Sequence, residues 1–149
     1  MTPDLDQLAR TMVRAPDIAR DYVIDRLVMA ARVIEATAGR SGPGGAGSWW
    51  PSIIMDLTGI EAAGRISFTP TPRQVSEAEE AIEWRRYVSE PDCLRALNIW
   101  LLCKARRLPW QKVAENHGIS RETAKRRQSR AISLIVYGLA ADGFMPRPG

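Results

Sequence analysis

Residues 109–139 read PWQKVAENHGISRETAKRRQSRAISLIVYGL, and this stretch decides the fold that the sequence predicts. Apolar residues recur three or four positions apart in it, which indicates helices rather than strands. We expect a short helix over residues 110–117 and then a sharp turn at Gly118, a residue that tolerates a positive φ. Ser120 is a favourable N-cap, so a second helix is predicted to begin at Arg121. The stretch therefore has the order of a helix, a turn and a second helix.

The two predicted helices need an inward side on which they pack together. The small side chain of Ala114 allows the second helix to cross closely, and Ile119 can fill the space between the helices. We assign the turn and the core of the unit to Val113, Ala114, Gly118, Ile119, Ser120 and Ala124. On the second helix, the inward side continues through Ala131, Ile132 and Ile135. The positions that project outward are then Arg121, Glu122, Lys125, Arg126 and Ser129.

Positive charge is concentrated at this end of the chain. Residues 1–92 contain 10 lysines and arginines against 14 acids, whereas residues 93–149 contain 11 against 3. The first part thus carries a net charge of −4 and the second +8, which agrees with the +4 of the whole chain. One interpretation is a solvated helix face that balances the acidic first part. We favour a surface for nucleic acid, because arginine and lysine are the side chains best suited to guanine and phosphate.

A short motif in the turn and the second helix resembles that of a known DNA-binding family. The pattern GISxxTxKxR is matched by Gly118, Ile119, Ser120, Thr123, Lys125 and Arg127. On these positions, residues 94–137 resemble the region 4 helix-turn-helix domain of sigma-70-type transcription factors. The longer run LPWxxVxxxxGISRxTAxRR is similar to a family of small, uncharacterised proteobacterial and phage proteins, from about residue 20 to residue 140.

The resemblance implies that the second helix is a recognition helix that lies in the major groove of DNA. It implies contacts with DNA for Arg121, Glu122, Lys125 and Arg126, and contacts with phosphates for Arg127 and Arg130. Gln128 stands where sigma-like domains usually have an apolar residue, so we expect it either to shift the helix or to face an adenine edge. Ser129 and Lys112 complete the predicted DNA-binding set.

The remainder of the chain is also predicted to be helical. The fold is therefore expected to be all-α, with a helical N-terminal part joined to a C-terminal helix-turn-helix domain. An apolar stripe predicts a helix over residues 16–38, and a shorter helix is expected over residues 5–13. The glycine-rich segment 39–48 lacks the strand and the GK[ST] ending of a phosphate-binding loop, so we predict a connector. The two tryptophans after it are expected to anchor the chain, before a helical turn over residues 52–57.

Capping signals mark the helices of the second half. Thr71 and Gln74 have the spacing of a capping box, and Pro72 suits a first turn, which predicts a helix to about Val88. A further helix is expected over residues 91–107, because its basic end suits a helix C-terminus. We divide the chain into an N-terminal region of residues 1–70, a helical bundle of residues 71–140 with the helix-turn-helix at 109–137, and a flexible tail of residues 141–149.

The composition offers little for catalysis. No nucleophile, base and orienting group can be assembled, so we expect no enzymatic activity, no cofactor and no metal site. His117, the only histidine, is expected to pack or to cap its helix. Cys93 and Cys103 have no CxxC spacing and are predicted to be buried free thiols. No apolar run approaches the roughly 20 residues that span a bilayer, and the N-terminus does not look like a secretory signal, which predicts the cytoplasm.

Three functions of different classes agree with these features. The one that we favour is a sequence-specific regulator of transcription, of phage or prophage type, that binds double-stranded DNA. Its N-terminal helices are expected to form a homodimer or higher homo-oligomer, or to contact RNA polymerase. The second is a DNA-packaging recognition subunit like a small terminase, although such proteins more often carry the DNA-binding part first. The third is an RNA polymerase-binding protein with a sigma-like fold that does not contact bases.

Overall fold

A computed structural model describes residues 16–41 and 68–144, with side chains from residue 20 to residue 37 in the first range. The α-helices are α1 (Pro16–Ser41), α2 (Pro72–Glu83), α3 (Pro91–Arg106), α4 (Trp110–Asn116) and α5 (Arg121–Ala141). One turn of 3-10 helix, Trp84–Tyr87, follows α2. These two ranges contain no strand, and the predicted all-α fold is confirmed.

Several predictions for the first half concern residues outside the described ranges. They are the helix over residues 5–13, the connector from residue 42 onward with its two tryptophans, and the helical turn over residues 52–57. The helix predicted over residues 16–38 is present, but it continues to Ser41 and so takes the first residues of the predicted connector. A glycine within a helix costs only about 1 kcal/mol, so Gly39 does not have to end it.

α1 packs against α2, α3 and α5 through its apolar stripe. Val23, Leu27 and Ala31 on this stripe are fully buried. Two ion pairs add to the contact: Arg26 Nη2 lies 3.2 Å from Glu80 Oε1 of α2, and Arg106 Nε of α3 lies 2.5 Å from Glu35 Oε1. α1, which belongs to the predicted N-terminal region, therefore shares one core with the helices of residues 71–140.

The start of α2 follows the predicted capping box. Thr71 Oγ1 accepts a hydrogen bond from the Gln74 amide at 3.1 Å, and the Thr71 amide donates to Gln74 Oε1 at 2.9 Å. The α-helix ends at Glu83, five residues before the predicted end, because the chain tightens there into the 3-10 turn. This tightening places Trp84 in the core, where only 3% of the residue is exposed.

α3 runs through the centre of the core. It contacts α1, α4 and α5, and Leu97, Leu101 and Leu102 on it are fully buried, as their spacing predicted. The helix ends at Arg107, whose φ of 57° lies in the left-handed region. The Leu108 amide then donates to the carbonyl of Cys103 in α3 at 2.8 Å. This hydrogen bond turns the chain towards α4.

Close packing holds the far end of α5. The ring of Tyr87 lies directly against Gly138, and a Cβ atom on that glycine would be 2.8 Å from Tyr87 Cε1 and closer still to Cδ1 and Cγ. Phe144 packs edge-on against Trp84, with ring centroids 5.3 Å apart. Residues 141–144 fall in the predicted flexible tail, but they belong to the packed structure because the ring of Phe144 contacts the core. The rest of that tail lies outside the described residues.

Candidate nucleic-acid interface

A four-residue turn, residues 117–120, connects α4 to α5. Gly118 has a φ of 82°, which is the left-handed conformation predicted for it. After it, the Ile119 amide donates to the carbonyl of Ala114 at 2.9 Å, and the Ile119 side chain is buried. His117 occupies the C-cap position of α4, one of its two predicted roles. This turn fixes the direction in which α5 leaves α4.

Ser120 caps the start of α5, as predicted. Its Oγ accepts a hydrogen bond from the Thr123 amide at 3.2 Å and donates one to Thr123 Oγ1 at 2.9 Å. Glu122 lies in the first turn, where a carboxylate interacts favourably with the helix dipole. The N-terminus of α5 is thus stabilised without any of its basic side chains.

The inward side of α5 is packed as the sequence predicted. The residues with no exposed surface are Ala124, Ala131, Ile132 and Ile135. On the facing helix α4, Val113 and Ala114 are also buried. The opposite side of the first turns of α5 therefore faces solvent, and its exposed charged residues are Arg121, Glu122, Lys125, Arg126 and Arg130.

Two arginines of α5 form ion pairs with acids of neighbouring helices. Arg121 pairs with Glu115 of α4 through its Nε atom. Arg127, which is half-buried, has its Nη2 atom 3.9 Å from Asp92 Oδ2 at the start of α3. These acids reduce the net charge on both flanks of the helix.

A third arginine, Arg130, is held by Glu90 in a two-point contact. Arg130 Nε donates to Glu90 Oε2 at 2.6 Å, and Arg130 Nη2 donates to Glu90 Oε1 at 2.5 Å. The thiol of Cys93 also donates to Glu90 Oε2, at 3.1 Å. The hydrogen bonds from Arg130 and then Cys93 lower the pKa of the Glu90 carboxyl to about 2. This carboxylate is therefore ionised at neutral pH.

Lys125 and Arg126 differ from these three arginines. Both are exposed, and neither forms an ion pair or a side-chain hydrogen bond with the residues that the structure describes. Arg126 lies between two shallow surface depressions of about 530 and 440 Å³. They are lined by Arg126, Arg127, Ser129, Arg130 and Ser133, and by Glu122, Thr123, Lys125, Arg126 and Ser129. Among the basic residues of α5, Lys125 and Arg126 are therefore free of partners within the described part of the chain and can meet an anion.

α1 covers the later turns of α5. Arg20 Nη1 donates to Ser133 Oγ at 2.5 Å, and Arg20 Nη2 donates to Ser129 Oγ at 2.9 Å. Ser129, which the sequence predicts to project outward, is therefore half-buried under α1. A helix rises 1.5 Å per residue, so residues 121–128 form about 12 Å of α5 whose outer side no other described helix covers.

The two remaining residues of the predicted site, Gln128 and Lys112, lie at the border of the exposed side of residues 121–128. Gln128 is half-buried, because it comes four residues after Ala124 and three before Ala131 and so shares part of their inward side. Lys112 is exposed on α4, three residues before Glu115, which pairs with Arg121. Residues three apart share a helix face, so Lys112 lies on the side of α4 next to the start of α5.

Sequence reasoning missed three residues that contact α5 from other helices: Glu90 and Asp92, which pair with its arginines, and Arg20, which donates to its serines. Their contacts join residues 35 to 113 positions apart, and no local spacing indicates them. Glu90 precedes Pro91 at the start of α3, so its position in the sequence indicates only the beginning of that helix. It is indeed the N-cap residue, but its side chain makes no capping hydrogen bond and contacts α5 instead.

Other chemistry finds little support in the described part of the chain. No group of three or more histidine, cysteine or acidic residues there is arranged to hold a metal ion. Cys93 and Cys103 are buried and free, as predicted, and burial raises the pKa of the Cys103 thiol to about 12. None of the described helices combines the length and the apolar character needed to cross a membrane.

Comparison with protein families identifies the family of the chain. The model of DUF6362, a domain of unknown function, matches residues 38–135, which is more than half of the chain. The chain therefore belongs to the DUF6362 family. The matched range includes α2, α3, α4 and the whole exposed start of α5. No curated protein and no solved structure gives a significant match.

Proposed function

We propose that this DUF6362 protein binds double-stranded DNA sequence-specifically and regulates transcription, with the start of α5 in the major groove. The uncovered start of α5 is the observation that carries the proposal. An α-helix with its side chains is about 10–12 Å across. The major groove is about 12 Å wide, so a helix enters it only where no other part of the protein lies on its outer side. Within residues 16–41 and 68–144, α1 covers the outer side of α5 from Ser129 onward, and the start of the helix is left exposed.

The free cations supply the chemistry that DNA requires. Arg126 is exposed between the two depressions, and a guanidinium can donate two hydrogen bonds to the O6 and N7 atoms of guanine. Lys125 is suited to a phosphate, since an ammonium acts as a point charge. Glu122 can accept a hydrogen bond from the amine of cytosine. Lys112 lies on the first helix of the unit, which in helix-turn-helix proteins crosses the DNA backbone.

The resemblance to sigma region 4 supports the same assignment. It favours a regulator of phage or prophage type, working in the cytoplasm of a bacterial cell or an infected host. One helix-turn-helix unit offers limited contact area, so useful specificity calls for a second copy or for a partner such as RNA polymerase. The apolar stripe of α1 is already buried within the chain. A homodimer through this helix would have to use another side of it, such as that of Met29, which is 38% exposed.

The first test is selection of DNA fragments bound by the full chain, followed by affinity measurements over a range of salt concentrations. If each unit contacts about four to six phosphates, log K falls with log salt with a slope of roughly −4 to −5. Arg126→Ala is expected to weaken binding of the selected DNA by about 1–3 kcal/mol, because it removes a donor to a base edge. The helical signal in circular dichroism is expected to stay the same, since the Arg126 side chain supports no contact in the described fold.

Arg32→Ala is the matched control. Arg32 is an exposed arginine of α1 without an ion pair in the described residues, and its loss changes the net charge equally. We expect this variant to bind like the unchanged protein. A salt-independent affinity, or an Arg126→Ala variant that binds normally, would contradict the proposal. A large ring that favours one packaging site would point to a terminase-like subunit, and capture of RNA polymerase without enrichment of DNA would point to a protein-binding role.

A further inference from the structure

We infer that Glu90 and Asp92 restrain sequence-independent binding of DNA, by holding Arg130 and Arg127 in ion pairs that DNA phosphates must displace. This inference rests on the proposed function and concerns the same surface. Arg130 and Arg127 then contribute less to affinity than their position on the recognition helix suggests. The two acids act through these arginines and are positioning residues of the site.

The geometry of the Arg130–Glu90 pair is the main support. The contact uses two donors of the guanidinium and both oxygens of the carboxylate, which is the same two-point arrangement that a phosphate would form. The Glu90 side chain leaves its own helix uncapped to make it. Both partners are about half-exposed, at 59% for Arg130 and 42% for Glu90. An approaching phosphate can therefore reach the arginine, and it competes there with a carboxylate of the same shape and sign.

The second acid extends the effect along the same flank. Arg127 lies one helical turn before Arg130, and Asp92 lies two residues after Glu90. The Arg127–Asp92 distance of 3.9 Å makes this the looser of the two pairs. Without the two acids, four neighbouring cations of α5 would face an anion: Lys125, Arg126, Arg127 and Arg130. With them, only Lys125 and Arg126 remain uncompensated.

The charge of Glu90 determines whether this residue weakens or strengthens the binding of a phosphate to Arg130. A carboxylate that only oriented Arg130 towards DNA would strengthen binding. Glu90, however, carries a full negative charge at neutral pH, as a carboxyl with an ordinary pKa of 4.5 does, and the hydrogen bonds from Arg130 and then Cys93 lower its pKa further, to about 2. A phosphate bound to Arg130 would lie within a few ångströms of this charge, well inside the screening length of about 10 Å at 0.1 M salt. Repulsion between the two anions therefore outweighs any gain from orientation.

Sequence-independent binding is the quantity that reports the effect. Its affinity comes almost entirely from phosphate contacts, and each contact contributes about −0.9 to the slope of log K against log salt. One contact that is released therefore raises the affinity about fivefold to tenfold near 0.1 M salt and steepens the slope by about 0.9. A duplex of random sequence is the appropriate probe, since it needs no knowledge of the target.

The experiment measures binding of this duplex to the full chain by fluorescence anisotropy at several salt concentrations. Glu90→Gln is expected to bind about fivefold to tenfold more tightly near 0.1 M salt, with a slope steeper by about 0.9. Asp92→Asn is expected to show a smaller gain in the same direction. The matched control is Glu79→Gln, which removes an exposed acid of α2 that has no ion pair within the described residues. This control is expected to leave the slope unchanged.

A double variant shows whether the effect passes through Arg130. Adding Arg130→Gln to Glu90→Gln is expected to remove both the gain in affinity and the steeper slope, which a change in stability alone would not do. The double variant has the net charge of the unchanged protein, so an effect of net charge is excluded by Glu79→Gln, which changes the charge by the same amount at another site. The inference is overturned if Glu90→Gln binds no better than Glu79→Gln, or if its slope does not change. If Glu90→Gln fails to fold, the second ion pair provides the test. Asp92→Asn should then bind the random duplex more tightly, and adding Arg127→Gln should remove that gain.

The two proposals fail in different ways. If the unchanged protein binds no duplex, or if Arg126→Ala binds selected DNA normally, the proposed function itself is wrong. If the unchanged protein binds DNA through Arg126 but Glu90→Gln behaves like its control, only the restraining role of the acids is wrong.

Discussion

Replacing Gly138 with alanine tests how tightly the far end of α5 is held. A glycine in the middle of a helix is normally a weakness, and its replacement by alanine stabilises a helix by about 1 kcal/mol. Here the added methyl group would meet the ring of Tyr87, with its carbon 2.8 Å from Cε1 and closer to Cδ1 and Cγ. Carbon atoms in favourable contact are about 3.5–4.0 Å apart, so the ring has to move by about 1 Å or more.

The displaced ring has few places to go. The Tyr87 hydroxyl is hydrogen-bonded to Asp142, just beyond the end of α5, and Arg86 Nη2 donates to the same hydroxyl at 3.1 Å. Moving the ring strains these contacts, and one hydrogen bond contributes about 0.5–1.5 kcal/mol. Overpacking typically costs about 1–3 kcal/mol. Overpacking and the loss of about one hydrogen bond, less the gain of about 1 kcal/mol in helix propensity, lead us to expect that Gly138→Ala lowers the free energy of unfolding by about 0.5–3.5 kcal/mol.

This change is measured by urea unfolding monitored by circular dichroism. The same substitution is also made in a protein that lacks the Tyr87 ring, so that the effects of Gly138→Ala with and without the ring can be compared. In a Tyr87→Ala variant the ring is absent, so Gly138→Ala should then stabilise the protein by about 1 kcal/mol. The sign of the effect thus reverses with the presence of the ring. Stabilisation by Gly138→Ala in the unchanged protein, or the same effect in both backgrounds, would refute the packing argument.

Two further predictions concern the start of α5 and the Glu90 contact. Ser120→Ala is expected to destabilise the fold by about 1 kcal/mol through loss of the N-cap, measured by urea unfolding, whereas Ser76→Ala at an exposed interior position of α2 should be close to neutral. Because the Glu90 pKa is lowered from 4.5 to about 2, its contribution to stability is complete above pH 4.5 and is lost as the pH falls towards 2. The difference in unfolding midpoint between the unchanged protein and Glu90→Gln should narrow over that interval, and a difference that persists at the acid end would contradict this.

The beginnings of helices were predictable because capping acts over a few residues. Thr71 with Gln74 and Ser120 with Thr123 satisfy the amides of the first turn in the way that their spacing indicates. The inward residues of α5 were predictable for a similar reason, since a period of 3.6 residues determines which side chains share a face. The end of α2 was harder to predict from the sequence, because it depends on the burial of Trp84 by distant residues.

The sequence predicted which residues form the candidate site, but not which of its charges are paired with acids. The sequence assigns Arg126 to DNA contact by its outward position and Arg130 to phosphate contact by resemblance, yet within the described structure Arg126 is free and Arg130 is held by Glu90. That difference arises from the packing of α3 against α5, which brings together residues 40 positions apart. Likewise, Ser129 has an outward position on its helix, and only the approach of α1 places Arg20 over it.

The uneven charge of the chain has a consequence for how the protein would approach DNA. Residues 1–92 carry a net charge of −4, and residues 93–149 carry +8. If the protein binds DNA as proposed, DNA would repel the first part and attract the second, which would favour encounters in which the start of α5 leads. The acids that pair with Arg127 and Arg130 reduce the attraction on one flank of that helix, so the remaining field is centred on Lys125 and Arg126. Long-range attraction would then direct DNA to the same side chains that are exposed for contact with the bases, and higher salt should slow association by screening it.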